Sequence, residues 1–154
     1  MTAHTVYTVG HSTRSAEEFV ALLRESGVQQ LVDIRTVPRS RKNPQFDLDA
    51  LPGTLAEAGI GHSYCKGLGG LRPTSKDSVN TAWRNESFRG YADHMLTDEF
   101  RAALAGLERL AEDRVVASIA ADEEWLPTTL GVVFAAIVVA VGTLLGRRRT
   151  TAAI

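Results

Sequence analysis

The order of elements along this chain predicts an α/β fold: a mostly parallel sheet of about four strands with flanking helices, followed by a C-terminal hydrophobic helix. Two patterns lead to it. Short β-branched or apolar runs begin at Thr5, Gln30, Gly61 and Arg114, and segments with helical periodicity lie between them. Strands separated by helices form βαβ units, whose right-handed crossovers make the strands parallel and put helices on both faces. Composition agrees, since 154 residues with 44% hydrophobic and 23% charged content suffice for one domain with its own core.

The elements follow in order. "TVYTVG" from Thr5 reads as the first strand and closes at Gly10. Ser15 is placed to cap a helix, with Glu18 completing a capping box and Phe19, Leu22 and Leu23 forming an apolar stripe that stops at Gly27. "QLVDIR" from Gln30 is a short buried strand. "DLDALPGTLAEAGI" is helical from about Asp47, but Pro52 and Gly53 predict a break or a late start near Pro52. "GHSYC" from Gly61 is the third strand, and a long loop rich in turn residues follows it. Helices are expected over residues 88–95 and 98–112, the second capped by Thr97 and burying Phe100, Leu104, Leu107 and Leu110. "RVVASIA" from Arg114 is the fourth strand.

The composition then changes. "LGVVFAAIVVAVGTLLG", from Leu130 to Gly146, runs seventeen residues without a charge before "RRR". The uncharged stretch beginning at Trp125 exceeds the roughly 20 residues that a helix needs to cross hydrocarbon. The expected organisation is an α/β domain over 1–121, an acidic, proline-containing linker over 122–129, a transmembrane helix over 130–146 and a basic tail over 147–154. On this reading the tail anchors a cytoplasmic domain in the membrane. The alternative is a helix that folds back as the last layer of the domain. "MTAHTVYTVGHST" has no basic stretch followed by a long apolar core, so no signal peptide is expected. Cys65 is the single cysteine, which excludes an internal disulfide and a cysteine-based zinc site. No metal or cofactor is expected.

Function depends on local charge, because a net charge of -1 gives no general attraction for polyanions. In a parallel sheet, ligands settle in the crevice beyond the carboxyl ends of the strands. Three distinctive loops fall there: "GHSTR" from Gly10, "DIRTVPRSRK" from Asp33 and "KGLGG" from Lys66. They place His11, Ser12, Arg14, Asp33, Arg35 and Lys66 around one cleft. Arg35, Arg39 and Arg41 add guanidinium groups suited to bidentate capture of phosphate or carboxylate. Plainer roles compete: a His-Ser turn, an Asp33–Arg35 pair and a solvated basic loop. Cys65 reads as a small buried residue rather than a nucleophile, and "GLGG" lacks the lysine and spacing of a phosphate loop. "WRNESFRGYADHM" interleaves Trp83, Phe88 and Tyr91 with Arg84 and Arg89, which can hold a nucleotide or staple the loop. The expected partner is a nucleotide or nucleic-acid phosphate, bound without demonstrable catalysis. The rival is an enzyme acting on a phosphorylated or nucleotide substrate, with His11 as acid/base, Asp33 orienting it and Arg35 stabilising charge.

"TVGHSTRSAEEFVALL", "VDIRTVPRSRKNPQF" and "NTAWRNESFRGYADHM" resemble the signature blocks of the bacterial domain-of-unknown-function 488 family. The resemblance spans about residues 5–120 and implies an α/β fold without assigning an activity. It also exposes a departure. Where that family follows its last strand with Cys-Ala-Glu, a tryptophan and Cys-His-Arg, this chain has Ile119, Ala120 and Ala121, keeps Trp125, and has Pro127, Thr128 and Thr129. If the family acts through those groups, the resemblance implies an inactive member with a truncated or recombined C-terminus.

Overall fold

The computed structural model describes residues 4–120 and 149–153. Its elements are β1 (His4–Val9), α1 (Ala16–Glu25), β2 (Gln30–Asp33), α2 (Leu51–Glu57), β3 (Gly61–Tyr64), α3 (Glu86–Met95), α4 (Asp98–Asp113), β4 (Val116–Ile119) and β5 (Arg149–Ala153). Two short 3-10 turns, Pro44–Phe46 and Lys66–Leu68, lie in the loops after β2 and β3.

Local chemistry sets the helix limits. The Glu18 N–H donates to Ser15 Oγ at 3.2 Å and the Ser15 N–H to Glu18 Oε2 at 2.8 Å, which completes the capping box of α1. Gly27 then takes φ +67°, a left-handed turn that suits glycine after a helix. α2 starts late, at Leu51, with Pro52 in its first turn where no N–H is needed. Asn85 and Thr97 cap α3 and α4 through their side-chain oxygens.

The sheet order is β3-β2-β4-β1-β5, and every pairing is parallel. The chain steps from β1 past β4 to β2 and β3, then reverses toward β4 and β5. Alternation along the strands divides the core into two layers. Val6, Val32, Ile34 and Val116 pack with Leu68, Tyr91, Phe100, Leu104 and Leu107 on the α3/α4 side. Val9, Leu31, Ala117 and Ile119 pack with Phe19, Leu23, Phe46, Leu51 and Leu55 on the α1/α2 side.

The hydrophobic helix expected over residues 130–146 lies outside the described residues. Among the described residues, no helix is long and apolar enough to cross a membrane. The last described residues, which fall in the stretch expected as a basic tail, form β5, in register with β1 from His4↔Arg149 to Thr8↔Ala153. "RTTAA" has no apolar alternation to announce a strand, and its pairing rests on the open edge of β1.

Two glycines test the packing. A Cβ on Gly90 would overlap the carbonyl oxygen of Arg72, a backbone atom that cannot swing away, whereas a Cβ on Gly53 would meet nothing within 4 Å. Gly90→Ala is expected to cost about 1–3 kcal/mol through overpacking. Gly53→Ala, inside α2, is expected to be neutral or to stabilise by up to about 1 kcal/mol. Urea denaturation midpoints of the two variants should move in opposite directions or differ by at least that cost.

Candidate functional site

The carboxyl ends of β1, β2, β3 and β4 share one edge, so the loops after them gather there. At its centre β2 ends in Asp33, whose side chain is fully buried beside Arg35, itself 3% exposed. Arg35 Nε donates to Asp33 Oδ1 at 2.9 Å and Nη2 to Oδ2 at 2.6 Å, a bidentate pair. The Arg35 backbone N–H donates to Oδ1 at 3.1 Å, and Nη2 reaches the Phe46 carbonyl at 2.7 Å. The guanidinium is therefore turned inward.

Phe46 links this pair to the loop after β1. The His11 ring is stacked on the Phe46 ring with centroids 4.6 Å apart and planes 9° from parallel. Phe19 of α1 meets Phe46 edge-on at 5.1 Å. His11 is 5% exposed, and its Nδ1 lies 2.8 Å from the Ser12 carbonyl, a contact that requires the proton on Nδ1. Ser12 is exposed and left-handed at φ +51°, a sparsely populated conformation for a residue with a Cβ. Arg14 Nη1 donates to the Gly10 carbonyl at 3.0 Å, and Gln45 Nε2 donates to the Arg14 carbonyl at 3.2 Å, closing the two loops on each other. His11, Asp33 and Arg35 are thus brought together around Phe46.

The rest of the basic run is partly neutralised. Arg39 pairs with Asp49 at 3.3 Å, both largely exposed, and the Ser40 N–H donates to Asp47 Oδ1 at 2.7 Å. Arg41 is exposed and makes no ion pair among the described residues.

β3 contributes two residues that the sequence reading passed over. Leu31 pairs with His62 and Asp33 with Tyr64, so both side chains share the α1/α2 face with the buried carboxylate. The Tyr64 hydroxyl donates to the Arg35 carbonyl at 3.1 Å. His62 Nε2 is the buried side-chain atom without a hydrogen-bond partner among the described residues. Burial lowers the His62 pKa; Asp33 opposes that shift and Arg35 adds to it. Burial raises the Tyr64 pKa, as does Asp33, against the pull of Arg35 and Arg72. The alternation in "GHSYC" held the clue, because positions 62 and 64 must share a face.

Lys66 and the two arginines near α3 are held differently. Lys66 is exposed on the 3-10 turn, whose Leu68 packs on the α3/α4 side. Arg72 fastens this loop, with Nη2 2.7 Å from the Lys66 carbonyl and Nε 3.2 Å from that of Gly69. Buried Tyr91 and His94 donate to the carbonyls of Leu68 and Gly67 at 3.2 and 2.7 Å. Burial pushes the Tyr91 hydroxyl well above the ordinary tyrosine pKa, so it stays protonated and keeps donating. Burial likewise raises the Cys65 pKa, which fits a packed thiol rather than a nucleophile. Arg89 donates twice to the Trp83 carbonyl, at 3.0 and 2.6 Å, and Trp83 packs on Phe88 at 5.8 Å. That is the staple arrangement. Arg84 is exposed next to Trp83, and no contact ties either arginine to His11 or Asp33 among the described residues. No group of three or more metal-binding side chains occurs among the described residues.

Removing one member of a buried, hydrogen-bonded ion pair strands the other charge. Asp33→Ala is expected to cost about 3–5 kcal/mol, while replacing the pair together by Asp33→Leu and Arg35→Met should cost less. Equilibrium unfolding in urea measures both, and a loss below about 1 kcal/mol for Asp33→Ala would remove the pair from the centre of the domain.

Comparison with known proteins adds one match. No curated protein and no solved structure is significantly similar to the chain. The family model described as "Domain of unknown function DUF488" matches residues 15–129, about three quarters of the 154 residues. With the three signature blocks and the α/β sheet in place, the chain belongs to the DUF488 family.

Proposed function

We propose that this DUF488 domain binds a small anionic ligand, a nucleotide or nucleic-acid phosphate, in the crevice above the carboxyl ends of its parallel strands. The observation that carries this reading is the convergence of the strand-end loops around a floor whose own carboxylate is already neutralised. Both oxygens of Asp33 accept N–H groups of Arg35, so Asp33 does not repel an incoming anion. Arg41 and Lys66 are exposed on the loops after β2 and β3 without ion pairs among the described residues, and half-buried Arg14 and exposed Ser12 lie on the loop after β1. These four are the ligand contacts in this reading; Arg35 positions the floor, and Arg39 is a secondary, partly compensated charge.

Binding is favoured over catalysis by two features. The enzymatic reading needs Asp33 to orient His11, and the Asp33 carboxylate is instead committed to Arg35. Ile119, where the family resemblance places a cysteine, is fully buried and in register with Asp33. An isoleucine there supplies neither a nucleophile nor an acid.

Calorimetric titration of the full chain with inorganic phosphate and pyrophosphate tests this. The triple variant Arg14→Ala, Arg41→Ala, Lys66→Ala should bind at least about tenfold more weakly, with a flatter salt dependence. Its stability should change little at such exposed or half-exposed positions. Equal affinities and salt slopes for parent and variant would sink the proposal.

β5 bears on membrane attachment. It pairs with β1, so residues 149–153 join the sheet of the α/β domain, whereas a single passage through a bilayer would separate them from it. This supports the reading in which residues 130–146 stay with the domain as its last layer rather than anchor it. Full-length protein is then expected to remain in the supernatant after high-speed centrifugation, and a chain ending at residue 129 to aggregate. Recovery of the full chain in the membrane pellet, released by that truncation, would reverse the assignment.

A further inference from the structure

Among the described residues, the large hydrophobic side chains left open to solvent are Val37, Tyr64, Leu71, Val79, Trp83 and Leu96, and half of these lie around one segment. Val37, Tyr64 and Leu71 converge on the backbone that leaves β2. The Tyr64 hydroxyl is anchored to the Arg35 carbonyl at 3.1 Å, Leu71 N–H reaches Thr36 Oγ1 at 3.4 Å, and Val37 is the next residue. Between them Gly69 sits so close to Thr36 and the Ile34 carbonyl that a Cβ would overlap both. The backbone approach is therefore tight, which holds the Leu71 backbone against Thr36, the residue before Val37. Their exposures are 59% for Val37, 40% for Tyr64 and 57% for Leu71.

Charges of both signs act on the Tyr64 hydroxyl: Asp33 raises its pKa, and Arg35 and Arg72 lower it. Arg41 follows Val37 on the same loop, whose base is closed by the Leu48 N–H donating to the Pro38 carbonyl at 3.0 Å. Lys66 is two residues beyond Tyr64. The carboxylates nearby are occupied: Asp33 by Arg35, Asp49 by Arg39 and Glu99 by Arg72. A pinned aromatic ring, with exposed Val37 and Leu71 on the adjoining backbone and exposed Arg41 and Lys66 on the loops after β2 and β3, suits a flat, apolar-faced group that carries phosphate. An apolar protein surface would gain nothing from the cations, and inorganic phosphate would gain nothing from the ring.

We propose that Tyr64, with Val37 and Leu71 beside it, is the stacking platform for a nucleobase, whose phosphate is held by the cations at the strand ends. The inference rests on the anion-binding reading and narrows its ligand to a nucleotide unit, whether free or within a single strand. The hydroxyl anchor holds the ring in place before the ligand arrives, which reduces the ordering cost of binding.

The test is calorimetry on the full chain with three probes: inorganic phosphate, adenosine monophosphate and a single-stranded oligonucleotide. Adenosine monophosphate should bind on the order of tenfold more tightly than phosphate. Tyr64→Ala should erase that advantage while leaving phosphate affinity unchanged, and Tyr64→Phe, which keeps the ring, should retain most of it. Val37→Ser with Leu71→Ser gives an independent reading of the platform should Tyr64→Ala unfold. An oligonucleotide that binds more tightly than the mononucleotide, with the same Tyr64 dependence, assigns the site to a strand; equal or weaker binding assigns it to a free nucleotide. If phosphate and adenosine monophosphate bind alike and the variants affect both equally, the platform is refuted while anion binding stands. If neither binds, the anion-binding reading itself has failed.

Discussion

The buried pair between Asp33 and Arg35 is the interaction on which the carboxyl edge of the sheet depends. A carboxylate with no exposure in a protein interior is tolerated only when its lone pairs are met, and here three N–H groups of one residue meet them. The same guanidinium holds the Phe46 carbonyl and so draws the 3-10 turn back over the end of β2. Phe46 then serves as the surface on which His11 stacks and Phe19 leans, tying β1 and α1 to the arrangement. The carbonyl of Arg35 receives the hydroxyl of Tyr64 and brings in β3. Four elements meet through one two-residue motif.

The sheet separates what lies around that motif. On the α1/α2 side are His11, Asp33, Phe46, His62 and Tyr64; the carbonyls of the Lys66–Leu68 turn are held from the α3/α4 side by Tyr91, His94 and Arg72. Both halves end at the same edge because every described strand is parallel, so the division is one of support rather than of access. The α3/α4 half also depends on close approach: Gly67 lies where a Cβ would come within 2.9 Å of the Ala103 Cβ, and Gly90 lies against Arg72. Such contacts leave those loops little freedom to shift.

The long connection after Leu68 is organised by charge as well as by packing. Asp93 of α3 accepts from the Ser75 N–H, the Ser78 hydroxyl and the Asn80 amide, at 2.9, 2.6 and 2.8 Å. Those hydrogen bonds, the side-chain ones foremost, hold its pKa below the usual carboxylate range. An irregular segment of this length needs such anchors because its backbone groups have no ladder to join.

Periodicity and capping chemistry by themselves determined the order of the first eight elements, the late start of α2 and the inward faces of α1 and α4, since each depends on residues a few positions apart. The convergence of three loops on one edge was also legible, because right-handed crossovers leave a parallel sheet little choice. Tertiary structure alone decided where the charges point. In sequence Arg35 is one of four cations in "RTVPRSRK"; only its burial beside Asp33 distinguishes it from exposed Arg41. His62 and Tyr64 entered the site through the register of β3 on β2, which no local pattern specifies. β5 owes its place to an open edge contributed by residues more than a hundred positions earlier. Orientation, register and edge pairing are settled by contacts between distant segments, and for that reason they appear only once the chain has folded.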